Sequence, residues 1–165
     1  PRLSELRNSV KMAYDDASVV NRLNLIAHPM NEYLEVVETG SQTPWGNRKV
    51  KVSHYGPSDI RFRVGTVDWK RALGGTHSLV FFLSYHYALF SLMPLEGTNY
   101  PGFGMIDLPA EMSPTGSLNN PTRFILPFSE LLAGSAFADC QLIVAGNGFD
   151  DDIACNKVFL STIYD

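Results

Sequence analysis

Apolar residues in the first part of the chain recur at spacings of three and four: Leu3, Leu6, Val10 and Tyr14, then Val19, Leu23 and Ile26. That period places them on one helical stripe and predicts helix from residue 1 to about 37. The pair His28-Pro29 is expected to break or kink the run, because proline disfavours an α conformation in the residue before it. A second helical piece, Asn31 to Val37, then ends near Gly40, and Ser41 to Asn47 has the composition of a loop.

The period then changes to two. Val50 and Val52 alternate with Lys49, Lys51 and Ser53, while Ile60, Phe62 and Val64 alternate with Arg61 and Arg63. With Gly56-Pro57-Ser58-Asp59 between them, Lys49–Tyr55 and Ile60–Val67 read as a hairpin with one buried and one basic face. Next comes the turn Arg71-Ala72-Leu73-Gly74-Gly75-Thr76, opening an apolar helix from His77 to Met93 that Pro94 stops. A polar loop runs to Pro101. Gly102 to Asp107 reads as a short buried strand, Glu111 to Asn120 as a loop and Thr122 to Phe137 as a helix presenting Phe124, Ile125, Phe128, Leu131 and Leu132. Gln141–Ala145 and Val158–Tyr164 read as two more buried strands. Strand, helix, strand with apolar strands implies an α/β fold on a parallel, covered sheet.

Composition narrows this picture in three ways. The 165 residues suit a single domain, 1–165, with 45% hydrophobic and 12% aromatic residues to supply a core. The formal net charge of −4 gives no overall attraction to nucleic acid, so any DNA contact needs a local patch. Cys140 and Cys155 are too few for a disulfide framework and read as two small buried thiols in a reducing compartment. The most apolar window, Leu79–Met93, is shorter than the ~20 residues a spanning helix needs and is interrupted by Ser84, His86 and Ser91; no membrane association is expected. The chain opens at Pro1 without an initiator Met or a charged-then-apolar leader, as an excised fragment would.

Three features carry candidate chemistry. Gly74-Gly75 begins a long helix, where adjacent glycines let backbone N–H groups approach an anion and the helix terminus adds positive potential; alone, such a pair is also an ordinary turn. Phe103-Gly104-Met105-Ile106-Asp107 followed by Leu108-Pro109 puts a carboxylate at the C-terminal edge of a parallel sheet, where such folds bind ligands. That carboxylate could hold Mg²⁺ through water against nucleotide phosphates, or merely cap a loop. Gln141–Ala145 followed by Gly146-Asn147-Gly148 sets a polar side chain at a strand exit.

In order and spacing these segments resemble the C-terminal lobe of an SMC/RecN-like ABC-type ATPase head. Ala72-Leu73-Gly74-Gly75-Thr76 looks like the signature usually written LSGGQ and lies about thirty residues before Asp107. Phe103–Pro109 resembles Walker B, the loop around Asn119 sits where the D-loop follows, and Gln141–Asn147 resembles the strand and switch that normally end in His. The helical run 1–37 would be the coiled-coil re-entry, and 38–165 the lobe itself. The resemblance implies ATP and Mg²⁺ as cofactors. Leu73, Gly74, Gly75, Thr76 and His77 would face nucleotide, Asp107 the metal, and Asp107, Glu111 and Asn147 would be the catalytic candidates. It implies as partners an N-terminal ATPase lobe carrying Walker A, a second head forming a homodimer, DNA for the full protein, and a possible nuclease.

The departures are specific. No Gly-Lys pair exists, so Walker A is absent. Leu108 occupies the place of the water-activating glutamate, with Glu111 three residues further on. Asn147 replaces the switch histidine and can hydrogen-bond but not take a charge. Leu73 replaces the signature serine, with Thr76 or Ser78 as alternative hydroxyls. Nucleotide-gated assembly is therefore expected more firmly than hydrolysis, and two competing classes stay open: an inactive scaffold module on the same fold, and a small anion-binding α/β domain. His86 reads as a core histidine, Asp150-Asp151-Asp152 as a solvated loop, and Arg61 and Arg63 as an edge-protecting charged face that could also contact phosphates.

Overall fold

A computed structural model describes residues 2–3, 16–37, 48–55, 59–109, 112, 120–151 and 153–158, with the side chains of 16–19 and 76 left aside. The chain is mixed α/β and divides into two compact units, Pro1–Pro101 and Gly102–Asp165.

The first unit is built around two helices and an antiparallel sheet. Helix α1 (Asp16–Val37) buries Leu23, Ala27, Met30, Leu34 and Val37. Their spacing of four, three, four and three forms one seam, which packs on the apolar helix α3 (Gly75–Ser91) and on strand β1 (Val50–His54). Tyr33 of α1 meets Tyr87 of α3 with ring centroids 5.4 Å apart.

The expected break at His28-Pro29 does not occur: α1 runs through Pro29. A proline inside a helix costs roughly 3 kcal/mol through its missing N–H and a clash with the carbonyl four residues earlier. Met30, Tyr33 and Leu34, all at most 4% exposed just beyond it, contribute about 1.5–3 kcal/mol each by burial and outweigh that cost. The carbonyl left over belongs to Leu25, an exposed residue.

Strand β2 (Ile60–Val64) pairs antiparallel with β1, setting Val50 opposite Val64, Lys51 opposite Arg63 and Val52 opposite Phe62. The predicted hairpin is therefore present, with two changes. Val67 is not part of its second strand: Gly65, at φ +64°, turns the chain so that Val67–Asp68 forms a third strand, β3. Ile60 is exposed, so the buried face narrows toward Val50 and Val64. Asn31 of α1 ties helix to sheet: its Nδ2 donates to the Ala27 and Val50 carbonyls (2.7 and 3.0 Å), and Val50 N–H donates to its Oδ1 (2.7 Å).

The second unit is a β–α–β arrangement. Strand β4 (Phe103–Asp107), helix α4 (Pro121–Leu132) and strand β5 (Gln141–Ala145) follow in order, with β4 and β5 parallel and in register from Phe103–Gln141 to Asp107–Ala145. Helix α4 starts where Asn120 caps the Arg123 N–H (3.1 Å) and buries Phe124, Ile125 and Phe128. It ends at Leu132 rather than Phe137; a separate 3₁₀ turn, Ser135–Phe137, follows Gly134.

The expectation of a covered sheet with buried strands is corrected here. Phe103, Met105 and Ile143 are 43%, 69% and 42% exposed, whereas Ile106 on the opposite face is buried. Among the described residues the parallel sheet has two strands, and the face that carries Phe103, Met105 and Ile143 is partly exposed. Val158, expected to begin a third strand, is exposed and extends no sheet; residues 159–164 lie outside the described residues, as do the predicted helical positions Leu6, Val10 and Tyr14, the loop 41–47, Asn119 and most of the loop 111–120.

Candidate functional site

The glycine turn is assembled in the first unit by a short helix that the periodicity did not reveal. Asp68 accepts from Lys70 N–H (3.0 Å) and caps α2 (Trp69–Ala72), which closes on Leu73 in an extended conformation. Leu73 is buried, so the residue standing where the signature resemblance expects a serine acts as an apolar anchor for the turn. Trp69 stacks on Phe81 at 4.8 Å with rings 4° from parallel and meets Phe82 edge-on, fixing α2 against the first turns of α3.

Gly74 is then the N-cap of α3 and Gly75 its first residue, both exposed. Gly74 has φ −82° and ψ 176°, open to any residue, and a Cβ built on either glycine meets no atom within 4 Å. The local fold therefore does not require glycine at 74 or 75. Ser78 N–H and its hydroxyl both reach the Gly74 carbonyl (2.9 and 3.0 Å), so that hydroxyl is engaged within the turn. Thr76 lies in the first turn of α3, and His77 beside it is half-buried. No acidic residue occupies that turn, while Lys70 and Arg71 just before it are exposed cations. The Asp68-Trp69-Lys70-Arg71 segment carries a helix-start signal in its aspartate that could have located this cap and its two cations.

In the second unit, the C-terminal edge of the parallel pair gathers the other candidates. Asp107 ends β4 beside Ala145, with its side chain exposed. Leu108 N–H donates to the Ala145 carbonyl (2.9 Å), carrying the pairing one step further, and Leu108 itself is buried. The chain leaves β5 through Gly146, where a Cβ would come within 2.9 Å of the Phe149 ring and 3.3 Å of Leu108 Cβ, so a larger residue there would require the Phe149 ring to shift. Asn147 follows, exposed, and then Gly148 at φ +71°. The exit loop is pinned to the start of α4 by Asp150 N–H donating to the buried Thr122 Oγ1 (2.8 Å). Asp107, Asn147 and the N-terminus of α4 thus share one edge, as a β–α–β unit dictates.

Lys157 reaches the Asp150 carbonyl (2.9 Å) and the exposed Asp151 carboxylate (3.4 Å), while Asp152 lies outside the described residues. Among the described residues no three His, Cys, Asp or Glu side chains cluster as a metal cage. Glu111 lies outside the described residues. The glycine pair belongs to the first unit, Asp107 and Asn147 to the second. Partial burial lowers the pKa of the His86 imidazole, on α3; the residue is half-buried rather than in the core as the sequence suggests. No helix among the described residues is long and apolar enough to cross a membrane. Comparison with models of protein families, with curated proteins and with solved structures finds no match for this chain.

Proposed function

We propose that this chain is the C-terminal lobe of an SMC/RecN-like ABC-type ATPase head, acting in nucleotide-gated head assembly in the cytoplasm. One observation carries the reading: Gly74 and Gly75 are exposed at the N-terminus of a 17-residue helix whose own fold has no need of them. Glycine near a helix start gives up conformational entropy without a packing return. Gly74 serves as the N-cap of the helix, and on this reading Gly75 is kept for a group outside the chain that must come close to the backbone. An anion is suited to that position, since free N–H groups, the helix dipole, Lys70 and Arg71 all favour negative charge. In the proposed assembly the anion is the phosphate tail of ATP held by a partner head.

Asp107, an exposed carboxylate at the sheet edge, fits Mg²⁺ that takes most of its oxygen ligands from phosphate and water rather than from a protein cage. Bound there, the ion would neutralise phosphate charge; Asn147 would supply a hydrogen-bond donor at the same edge. The exposed apolar side chains of Phe103, Met105 and Ile143 suit a face that the N-terminal lobe would cover.

The inactive-scaffold alternative has its own support. Leu108, at the place of the water-activating glutamate, is buried and apolar, so assembly without hydrolysis is the form of the proposal the residues favour. The test is co-expression with a Walker A-bearing lobe and measurement of ATP-dependent dimerisation by light scattering. A Cβ at Gly75 meets no atom within 4 Å, so Gly75→Phe should leave folding intact, checked by circular dichroism, while abolishing dimerisation; Asp107→Ala should weaken it. Unchanged ATP-dependent dimerisation in both variants would rule the assignment out.

A further inference from the structure

The charges of this chain are sorted along its sequence. Residues 48–71 hold seven of the thirteen Lys and Arg but two of the seventeen Asp and Glu, a balance of +5, so the remainder carries −9 within the net −4. The antiparallel sheet gathers part of this excess onto one face. Its register sets Lys51 directly opposite Arg63 and Ser53 opposite Arg61, with Tyr55 at the end of the first strand. Asp68 on β3 lies across from Arg63 at one margin, and Asp59 lies at the turn.

Two features of this face go against stability of the sheet alone. Like charges directly across a ladder, as in Lys51 and Arg63, are destabilising. The ring of Tyr55 is 54% exposed, yet it is held in place: the Arg61 guanidinium sits 4.5 Å from its centroid, the Arg63 guanidinium 5.7 Å, and Arg63 Nη2 donates to its hydroxyl (2.6 Å). Asp59 engages Nε and Nη2 of Arg61 (3.0 and 2.7 Å) and raises its pKa, leaving the Nη1 edge for an outside acceptor. Arg61 and Arg63, two residues apart on an extended strand, are spaced about 6.8 Å, comparable with the step between neighbouring phosphates of one strand.

We infer that the Lys51–Tyr55–Arg61–Arg63 face of the antiparallel sheet is a docking surface for a single nucleic-acid strand. The cations take successive phosphates, and the ordered Tyr55 ring with its guanidiniums offers a platform for a base, the pairing of charge and stacking by which sheet surfaces hold single strands. The excess of positive charge in residues 48–71 marks this strip, and not the acidic remainder of the sequence, as the stretch suited to a polyanion. The inference is independent of the ATP reading, and its test needs neither nucleotide nor a second lobe.

The experiment is fluorescence anisotropy of the full chain with a labelled single-stranded oligonucleotide across a salt series. A duplex of equal length and polyglutamate of equal charge serve as competitors, and circular dichroism checks each variant's fold. The triple variant K51Q/R61Q/R63Q should bind at least tenfold more weakly and flatten the log–log salt slope by about two, at ~0.7 per single-strand phosphate. Tyr55→Ala should lose roughly fivefold or more while keeping the slope, and Lys157→Gln, outside the face, should change neither. The inference fails if the wild-type chain does not bind the oligonucleotide, if the triple variant keeps its affinity and slope, or if duplex competes as well as single strand. Displacement by polyglutamate as effective as by unlabelled oligonucleotide would overturn it in favour of an acidic protein segment.

Discussion

The chain contains two sheets that use apolar residues in opposite ways. In the antiparallel sheet, Val50 and Val64 are buried under the helices and the outward face is charged. In the parallel pair, Ile106 faces inward, while Phe103, Met105 and Ile143 are turned out and partly exposed. Antiparallel sheets commonly show one face to water; parallel pairs normally sit in sheets covered on both sides. The first sheet is thus complete as it stands, and the second has the composition of a sheet meant to be covered.

The comparison can be broken most forcefully in the core of the second unit. Phe128, fully buried on α4, should cost about 3–5 kcal/mol when changed to alanine, read from urea unfolding. In the first unit the largest polar effect is expected at Asn31. Asn31→Ala leaves Val50 N–H and C=O without their partner and should cost about 1–3 kcal/mol. Lys51→Thr relieves the cross-strand repulsion and should raise stability by about 0.2–1 kcal/mol, confirming that the basic face is kept at the expense of the sheet. Replacing Phe103, Met105 and Ile143 together by threonine should move stability by less than about 0.5 kcal/mol per site while lowering self-association in light scattering. A loss of several kcal/mol would mean that this face is covered in the folded chain, and the contrast between the sheets would collapse.

The smallest effect is a pH dependence at His86. Burial lowers its folded pKa below the unfolded value near 6.5, so its neutral form is the one the fold accommodates. The associated stability is present above about pH 6.5 and is lost as the pH falls through the folded value. Melting temperature should therefore decline on acidification over that window, and His86→Gln should reduce the decline.

Periodicity was most informative where one pattern had one cause. The seam of α1, the alternation of β1 and β2 and the apolar run of α3 follow directly from which positions are buried. Pro29 does not break α1, one of the two outcomes expected there, because the helix is held by burial on both sides of it. Val67 went to the wrong strand because only the positive φ of Gly65, invisible in a pattern of two, ends β2. The apolar strands Phe103–Asp107 and Gln141–Ala145 were placed correctly, but a run of apolar residues cannot say whether both faces are covered. At the candidate site, the order of the glycine pair, Asp107 and Asn147 was legible. That Leu73 is an anchor, that Ser78 turns back on Gly74 and that the glycines are sterically free required three dimensions.

Asn31 has a consequence for solubility as well as for packing. β1 is an outer strand, and the outer rim of a sheet is a template on which another chain can add itself. By occupying both the N–H and the C=O of Val50, one amide side chain imitates the next strand at that residue and denies the rim to a newcomer. The helix therefore does more than rest on the sheet: it closes the rim of β1 at Val50 to strand addition.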